Sequence, residues 1–334
     1  MTRPPRFMRK RQAAVAAAEE AELPDQPAPR EPVDLDRVFA AMRDDGFFLP
    51  GRVYDGLDDL VYHRGPGVSR SDLQLVDESP AAYRFAKQHP KPPTEAYTIG
   101  RALHCLLLEP ARFADRFLAS EHQDFSSRDA RIWRWIQEQQ GFTVLRAHSD
   151  DPIYKPSAWD QVHRMRDAVM AHPDARELVD GCIAERSCYW EEPVPGNETA
   201  RILSKCRFDG IAIAARCGVD VKTTKDPGAR AFAEACLQYG YHVQERWYMR
   251  GQAACRLGLE DFRFIAVTKG PRYSVGLYRM TERNRGFADA FLDRTLETLA
   301  ECTALGYWPD QPLGVQDIEL PARADRIFTP GGNS

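Results

Sequence analysis

The sequence predicts an α/β protein in which helices flank a central mixed β-sheet. Three patterns support this fold class. Residues Ile202–Thr224 alternate apolar and polar positions at the period of a β-strand. Amphipathic segments with helical spacing lie before and after that stretch, and the apolar runs FRFIAVTKG and YSVGLYRM precede a last long helix. Strands and helices that alternate in this way are typical of a sheet covered by helices.

The composition is that of a soluble globular chain of one large domain or two small ones. The 334 residues are 43% hydrophobic and 28% charged. No apolar run is long enough to span a membrane, and the basic N-terminus lacks an apolar signal core, so we expect a cytoplasmic protein. A net charge of -4 argues against a chain that coats nucleic acid by bulk charge, but it is compatible with a local basic groove.

The positions of the cysteines and glycines give no support for several common metal and nucleotide sites. The 8 cysteines are scattered singly, without a Cys-x-x-Cys pair, which disfavours a zinc ribbon and gives no support for an iron–sulfur cluster. Free thiols in a reducing compartment are the simplest interpretation. The chain has no P-loop and no Gly-x-Gly-x-x-Gly motif, which argues against intrinsic ATP hydrolysis.

One folded domain is predicted between two tails. Residues 1–35 are rich in Arg, Ala, Glu and Pro without hydrophobic periodicity, so we expect disorder there. Their basic cluster is interpreted as solvated, with contact to DNA phosphates as the alternative. We assign residues 36–320 to the domain, with a helical part at 69–180 and a sheet-containing core at 183–306. Residues 321–334 are expected to form a flexible tail.

The helical part carries recognisable capping signals. A short amphipathic helix is predicted in front of it at Val33–Arg43. Ser69, followed three residues later by Asp72, resembles a capping box, and Pro80 suits the first turn of the next helix. Residues 121–180 are predicted to be helical with breaks at Pro and Gly.

A histidine lies beside the apolar stripe of the helix predicted at Thr98–Phe117. This residue, His104, follows Gly100 by one helical turn. A core histidine whose polar atoms are satisfied is the common outcome at such a position, and a metal ligand is the alternative.

Residues 182–194 are predicted to form a strand that turns at Pro195-Gly196-Asn197. Glu185 on this strand is interpreted as a solvated edge carboxylate, and the alternative is that it faces a metal site.

Ile202–Thr224 is predicted to form three short antiparallel strands that carry three charges. Asp220 and Lys222 are two residues apart, so their side chains leave the same face of a strand, and Asp209 can lie beside them on a neighbouring strand. Carboxylates hold Mg²⁺ together with waters and phosphates, and a lysine near the ion can position or deprotonate a water. The alternative is a solvated salt bridge.

The remaining elements complete the predicted sheet. ARAFAEACLQYGYHVQERWYMRGQAAC is predicted to be a long helix with a break at Gly240. Two pairs on it, Gln244 with Tyr248 and Arg246 with Arg250, are four residues apart, so each pair shares one helix face. Two strands, a helix from about Glu282 to Leu305 and an irregular tail from Tyr307 follow.

Four motifs occur in an order that is typical of one nuclease superfamily: Gly-x-x-x-His at Gly100–His104, Asp209, Asp-x-Lys at Asp220–Lys222, and Gln-x-x-x-Tyr at Gln244–Tyr248. The chain therefore resembles the PD-(D/E)xK superfamily in its RecB-like branch. The segments YHRGPGVSRSDLQLVDESPAAY, TIGRALHCLLLEPARF, KCRFDGI, VDVKTT and YGYHVQERWY are similar to the nuclease domain of the RecE proteins, exodeoxyribonuclease VIII. The resemblance covers about residues 50–315, and the Asp at position 220, where many superfamily members have Glu, is shared by RecE-like members.

The resemblance implies a restriction-endonuclease-like fold whose catalytic core spans residues 183–306. It implies that metal is bound by His104, Asp209, Asp220 and the backbone carbonyl of Val221. Lys222 would activate the water, while Gln244 and Tyr248 would steady Lys222 and the scissile phosphate. The implied cofactor is Mg²⁺, for which Mn²⁺ is expected to substitute, and no ATP is needed.

The function implied by the resemblance is digestion of linear double-stranded DNA from the 5′ end, which leaves a 3′ single strand for a RecT-type annealing protein. RecE-like enzymes form ring-shaped tetramers. A ring around DNA needs a basic lining, and the candidates are Arg70, Arg84, Lys87, Arg246 and Arg250, with solvated helix faces as the alternative. Two other functions stay open at this point: a different nuclease of the same fold, and an inactive DNA-binding recombination scaffold.

Overall fold

The computed structural model describes residues 49–89, 93–311, 314–315 and 317–319. The tails predicted at 1–35 and 321–334 and the helix predicted at Val33–Arg43 lie outside these described residues. Contacts divide the chain between Phe47 and Phe48, and all the described residues belong to the second unit.

The helices cluster before and after the main strands. They are α1 (Asp59–Arg64), α2 (Arg70–Glu78), α3 (Pro80–Gln88), α4 (Glu95–Leu108), α5 (Pro110–Arg116), α6 (Arg128–Gln139), α7 (Ala158–Ala171), α8 (Pro173–Val179), α9 (Ala229–Tyr239), α10 (Tyr241–Ala254) and α11 (Glu282–Leu305). The strands are β1 (Arg52–Tyr54), β2 (Phe117–Ala119), β3 (Thr143–Leu145), β4 (Ile183–Val194), β5 (Asn197–Ala212), β6 (Cys217–Thr224), β7 (Asp261–Thr268) and β8 (Val275–Tyr278).

Six strands form one mixed sheet in the order β1-β4-β5-β6-β7-β8. Neighbouring strands are antiparallel except for β6 and β7, which run parallel because α9 and α10 carry the chain across between them. The predicted fold class, a mixed sheet flanked by helices, is confirmed. The predicted strand at 182–194 and its turn are also confirmed as the β4–β5 hairpin.

The prediction of three strands in Ile202–Thr224 was wrong, because this segment contains only the second part of β5 and the whole of β6. Strand β5 begins at Asn197 and continues without a break to Ala212. Gly210, which could have marked a turn, instead pairs with Val219 inside the β5–β6 ladder. The turn lies at residues 213–216, where Arg216 has a positive φ of 48°.

The sheet separates two hydrophobic cores. On one face, α2, α10 and α11 pack around Trp190, Phe208 and Trp247. On the other face, α4, α7 and α8 pack against Val219 and Val221. Strand β7 serves both cores because successive side chains point to opposite faces of a strand.

Several helix boundaries follow the predicted signals. Ser69 and Asp72 form a complete capping box at the start of α2, and Pro80 occupies the first turn of α3. The helix predicted at Thr98–Phe117 is two helices, since Pro110 lacks an N–H and begins α5. Gly240, at a φ of 66°, separates α9 from α10 as expected.

The prediction that residues 121–180 are helical was too simple. Only α6, α7 and α8 form in this range, and β3 and the connection at 146–157 lie between them. Thr143 to Leu145 pair in parallel with Phe117 to Ala119 in a small second sheet. A three-residue strand leaves too short a pattern for sequence periodicity to detect. Among the helices that the structure describes, none combines the length and the apolar character that crossing a membrane requires.

Candidate active site

A polar cavity of about 410 Å³ lies where β5 and β6 meet α1, α4 and the start of α10. Asp209 of β5 and Lys222 of β6 are both in its wall. The ladder pairs Gly210 with Val219, which sets Asp209 next to Asp220 on the neighbouring strand. The backbone N–H of Val221 donates a hydrogen bond of 3.0 Å to Oδ2 of Asp209. The structure therefore brings together the three charges that the strand spacing had singled out.

Asp220 and Lys222 form a buried ion pair. The side chain of Asp220 is 1% exposed, and its Oδ2 lies 2.6 Å from Nζ of Lys222. The other oxygen, Oδ1, accepts a hydrogen bond from Nε2 of Gln244. Nζ of Lys222 also lies 4.9 Å from the ring centroid of Tyr241, at a distance typical of a cation–π contact. A buried carboxylate needs such partners, because an unpaired charge in this environment is costly.

His104 connects the second carboxylate to the neighbouring backbone. It projects from α4 so that Nδ1 lies 3.4 Å from Oδ2 of Asp209 and Nε2 lies 2.7 Å from the carbonyl oxygen of Val221. Both ring nitrogens of His104 thus have polar neighbours at the cavity wall, which is compatible with a satisfied histidine, and its role as a metal ligand stays a prediction. Burial raises the pKa of Asp209, an effect that the nearby His104 partly offsets.

Glu185 is another carboxylate in the cavity wall. It lies on β4 opposite Asp209, between the register pairs Ala184–Gly210 and Arg186–Phe208. Burial raises its pKa, and the negative charge of Asp209 raises it further, while Arg207 acts in the other direction. Its φ of 52° is unusual for a residue with a side chain. The interpretation as a solvated edge carboxylate is thus corrected.

The donors of this cavity fit a hard divalent cation in kind. Carboxylates, one backbone carbonyl and waters are the ligands that Mg²⁺ prefers, and Mn²⁺ also accepts imidazole. Burial raises the pKa values of Asp209 and Glu185, and a neighbouring carboxylate, Asp220 for Asp209 and Asp209 for Glu185, raises each further. A bound cation would relieve this repulsion. Within residues 49–89 and 93–311 and the short described pieces beyond, no group of three or more His, Cys, Asp or Glu side chains already encloses a metal position. The two oxygens of Asp220 instead contact Lys222 and Gln244.

The two residues of the Gln-x-x-x-Tyr motif take different positions. Gln244 contacts Asp220 and Arg70 and not Lys222. Tyr248 lines the cavity, with its ring edge-on to Phe208 and Phe262, and burial raises its pKa well above the ordinary value. The structure shows no hydrogen bond between the Tyr248 hydroxyl and Lys222 within the described residues.

The predicted DNA-binding residues separate into three groups. Arg70 lines the cavity. Arg84 is exposed near the ring of Trp308, and Lys87 pairs with Asp72 at 3.0 Å.

Arg246 and Arg250 are the third group, and both are engaged in ion pairs. Both bind Asp289 of α11, at 2.7 and 2.5 Å, and Arg250 also contacts Asp293 and Glu192. Because these ion pairs lie between α10 and α11, contact of the two arginines with DNA would compete with them and stays a prediction.

Sequence reasoning missed an ion-pair network in the same cavity. Arg207 donates to Asp59 at 2.7 Å, to the carbonyl oxygen of Leu57 at 2.9 Å and to Glu185 at 3.3 Å. Arg101 binds the other oxygen of Asp59. Arg207 is two residues before Asp209 on β5, a strand spacing that could have identified it. Asp59 carries no such signal, since it arrives from a distant helix.

Comparisons with known proteins agree with this architecture. A family model described as a PDDEXK-like domain of unknown function (DUF3799) matches residues 69–318. No curated protein sequence matches the chain. Among solved structures, a candidate exonuclease from Eubacterium rectale is similar with a TM-score of 0.54 at 10% sequence identity, over 82% of this chain and 97% of that chain, which supports the fold. The structure of SSO0001 has a TM-score of 0.25 at 15% identity, over 62% of this chain and 86% of its own, and carries no argument.

Proposed function

The chain belongs to the family of PDDEXK-like domains named DUF3799, and on this premise we propose that it is a Mg²⁺-dependent, ATP-independent exodeoxyribonuclease of the RecE type. It digests linear double-stranded DNA in the 5′ to 3′ direction and leaves a 3′ single strand for recombination by strand annealing. The observation that carries this proposal is that His104, Asp209 and Lys222 line one cavity and that the buried Asp220 contacts Lys222.

The cation would be held by Asp209, Asp220, His104 and the carbonyl oxygen of Val221, with Glu185 nearby. When bound, it supplies Lewis-acid polarisation of the phosphate and a more acidic water.

Lys222 has two roles in the proposed reaction. Its ammonium orients the attacking water through a hydrogen bond and offsets the charge that develops on the phosphate. Asp220, which contacts Nζ of Lys222, holds the lysine in position for both tasks. The aromatic ring of Tyr241, 4.9 Å from Nζ, limits the directions in which the lysine can move.

The deciding experiment uses end-labelled linear duplex DNA and a covalently closed circle, each incubated with the protein and Mg²⁺ without ATP. We expect the linear DNA alone to be degraded, from its 5′ ends, with Mn²⁺ able to replace Mg²⁺. Asp220→Ala and Lys222→Ala are expected to lower the rate about 10³-fold or more. Circular dichroism of both variants establishes that they are folded.

Other outcomes would point elsewhere. Cleavage of the circle would indicate an endonuclease on the same fold. Degradation from the 3′ end would contradict the proposed polarity. DNA binding without any cleavage would indicate an inactive scaffold.

We also propose that the protein assembles as a ring-shaped tetramer and cooperates with a RecT-type annealing protein in the cytoplasm. A ring would keep DNA enclosed although the chain has a net charge of -4. Light scattering of the purified protein tests the assembly, and a monomer at working concentration would contradict it.

A further inference from the structure

Arg70 is distinguished from the other arginines of the cavity by its partners. Arg101, Arg116 and Arg207 each pair with a carboxylate. Arg70 forms no ion pair with any residue that the structure describes. Its guanidinium instead donates to three neutral acceptors: Oε1 of Gln74, the carbonyl oxygen of Tyr239 at 3.1 Å and Oε1 of Gln244 at 3.2 Å.

Gln74 reinforces the same contact. It lies one turn after Arg70 on α2, so both side chains reach the same neighbour. Its Nε2 donates 3.1 Å to the carbonyl oxygen of Tyr239, the last residue of α9. Arg70 and Gln74 thus satisfy a terminal helix carbonyl that no intrahelical N–H can reach.

The side chains of Arg70 and Gln74 lie close to the backbone of Gly240, at the corner between α9 and α10. Gly240 adopts a φ of 66°, and a Cβ at this position would lie 2.2 Å from Nε2 of Gln74. A residue with a side chain would therefore displace Gln74 as well as strain the backbone. The corner, Arg70 and Gln74 form one packed unit, which we call the α2 latch.

The latch is connected to the buried acid by a single residue. Gln244, which is 3% exposed, accepts from Arg70 through Oε1 and donates to Oδ1 of Asp220 through Nε2. The bond from Arg70 fixes which end of the amide faces the carboxylate, because a guanidinium can only donate. The order of contacts is therefore Arg70, Gln244, Asp220 and Lys222.

We propose that Arg70 is a positioning residue, which together with Gln74 holds Gln244 and through it orients Asp220 for the reaction. This inference rests on the proposed function for its catalytic part, whereas the latch itself is independent of any activity. It replaces the interpretation of Arg70 as a contact to DNA phosphate, for which the positive charge alone would suffice.

The first measurement follows the side-chain amide of Gln244 by NMR in protein labelled with ¹⁵N-glutamine. A Gln244→Met variant assigns the signal. We expect hydrogen exchange of this amide to become on the order of tenfold faster in Arg70→Gln and in Gln74→Ala, since each loses latch hydrogen bonds. Arg294→Gln is the matched control, because Arg294 anchors the same helix through Asp77 but lies outside the latch. Unchanged exchange in both latch variants, or an equal change in the control, would overturn the proposal.

The second measurement separates positioning from phosphate binding with Arg70→Lys, which keeps the charge but cannot reproduce the three hydrogen bonds. We expect this variant to bind duplex DNA in EDTA within twofold of the wild type, with the same salt dependence, and to show a lower kcat with little change in KM. A phosphate contact predicts the opposite pattern: Arg70→Lys restores activity, and Arg70→Gln lowers the slope of affinity against salt by about one unit.

The two measurements keep separate failures apart. A wild type that cleaves no DNA contradicts the proposed function but leaves the NMR result to decide the latch. Normal exchange of the Gln244 amide in the latch variants of an active enzyme contradicts the latch alone.

Discussion

Two regions of the molecule are rich in charged side chains, and the carboxylates of the two regions have different partners. Between α10 and α11, arginines face carboxylates directly: Arg250 contacts Asp289, Asp293 and Glu192, while Arg285 contacts Glu245. In the cavity at β5 and β6, the acids Asp209 and Asp220 have as partners an imidazole, an amide, a backbone N–H and a single lysine.

The difference indicates how the partners of a charged side chain that stabilises the fold differ from those of one that can bind a ligand. An arginine that binds two or three carboxylates has little capacity left for a ligand. A carboxylate held by amides and one lysine can exchange those contacts for a cation. If this comparison is correct, substitutions in the two regions should separate activity from stability.

The largest effect is expected at the buried pair in the cavity. Lys222→Met removes the cation beside a carboxylate that is 1% exposed, so we expect the free energy of unfolding to fall by about 3 kcal/mol and cleavage to fall about 10³-fold. Adding Asp220→Asn removes the unpaired charge and should restore part of the stability but none of the activity. Urea denaturation and DNA cleavage of the two single variants and the double variant test this. Full additivity of the stability changes would contradict the pairing.

Arg250→Met should show the reverse pattern in the other region. It leaves Glu192 and Asp293 without this cation and Asp289 with Arg246 alone, and we expect a loss of about 2 to 3 kcal/mol in unfolding free energy. The cleavage rate of the folded variant should stay within twofold of the wild type, since Arg250 lies between helices. A tenfold loss of DNA affinity would show instead that Arg250 reaches DNA.

A third prediction concerns Lys205, a buried lysine that pairs with no carboxylate among the residues that the structure describes. Its Nζ donates to the carbonyl oxygens of Tyr62 and Gly65 at 2.6 and 2.7 Å. Burial lowers its pKa from 10.5 to about 7, an effect to which Lys87 and Arg207 add and which Asp72 opposes. Between pH 7 and 10.5 the unfolded chain therefore holds more protons at this site than the folded protein, and this contribution to stability rises with pH.

The measurement compares urea denaturation at pH 7 and pH 9. We expect the gain in unfolding free energy from pH 7 to pH 9 to be smaller in Lys205→Met than in the wild type. The variant should also be less stable at both values, by about 1 to 3 kcal/mol, because two buried carbonyls lose their donor. An identical pH dependence of the two proteins would show that Lys205 titrates normally.

The smallest effect is expected at the edge of the interhelical region. Within the described part of the chain Arg246 pairs only with Asp289, and both side chains are about a third exposed, at 35% and 30%. Arg246→Gln should therefore cost less than about 1 kcal/mol, because solvent screens such a pair. A loss equal to that of Arg250→Met would show that the two arginines act as one unit.

Much of the fold could be predicted because its signals are local. Alternation identified β4, helical spacing identified α11, and the left-handed conformation of Gly240 ended α9 where the sequence suggested. The prediction failed where local patterns are ambiguous. Strand β5 continues through Gly210, since pairing with β6 satisfies a backbone that in isolation could have turned.

The site was predictable only in part, for the same reason. Asp220 and Lys222 are close in sequence, so spacing was sufficient to place them together. Arg207 and Asp59 are separated by 148 residues and meet only when α1 packs on the sheet. Arg246 and Arg250 have the spacing of a basic surface, and only the folded structure shows that both form ion pairs with acids of α11.

Glu185 carries a consequence for any redesign of this protein. Its backbone occupies the left-handed region at a φ of 52°, where glycine is favoured and other residues cost about 1 to 2 kcal/mol. Selection for heat resistance alone would thus favour glycine at this position and remove a carboxylate from the cavity wall. The acid at this position therefore carries a backbone cost that its contact with Arg207 at 3.3 Å offsets only in part, as is common where a residue serves chemistry and not stability.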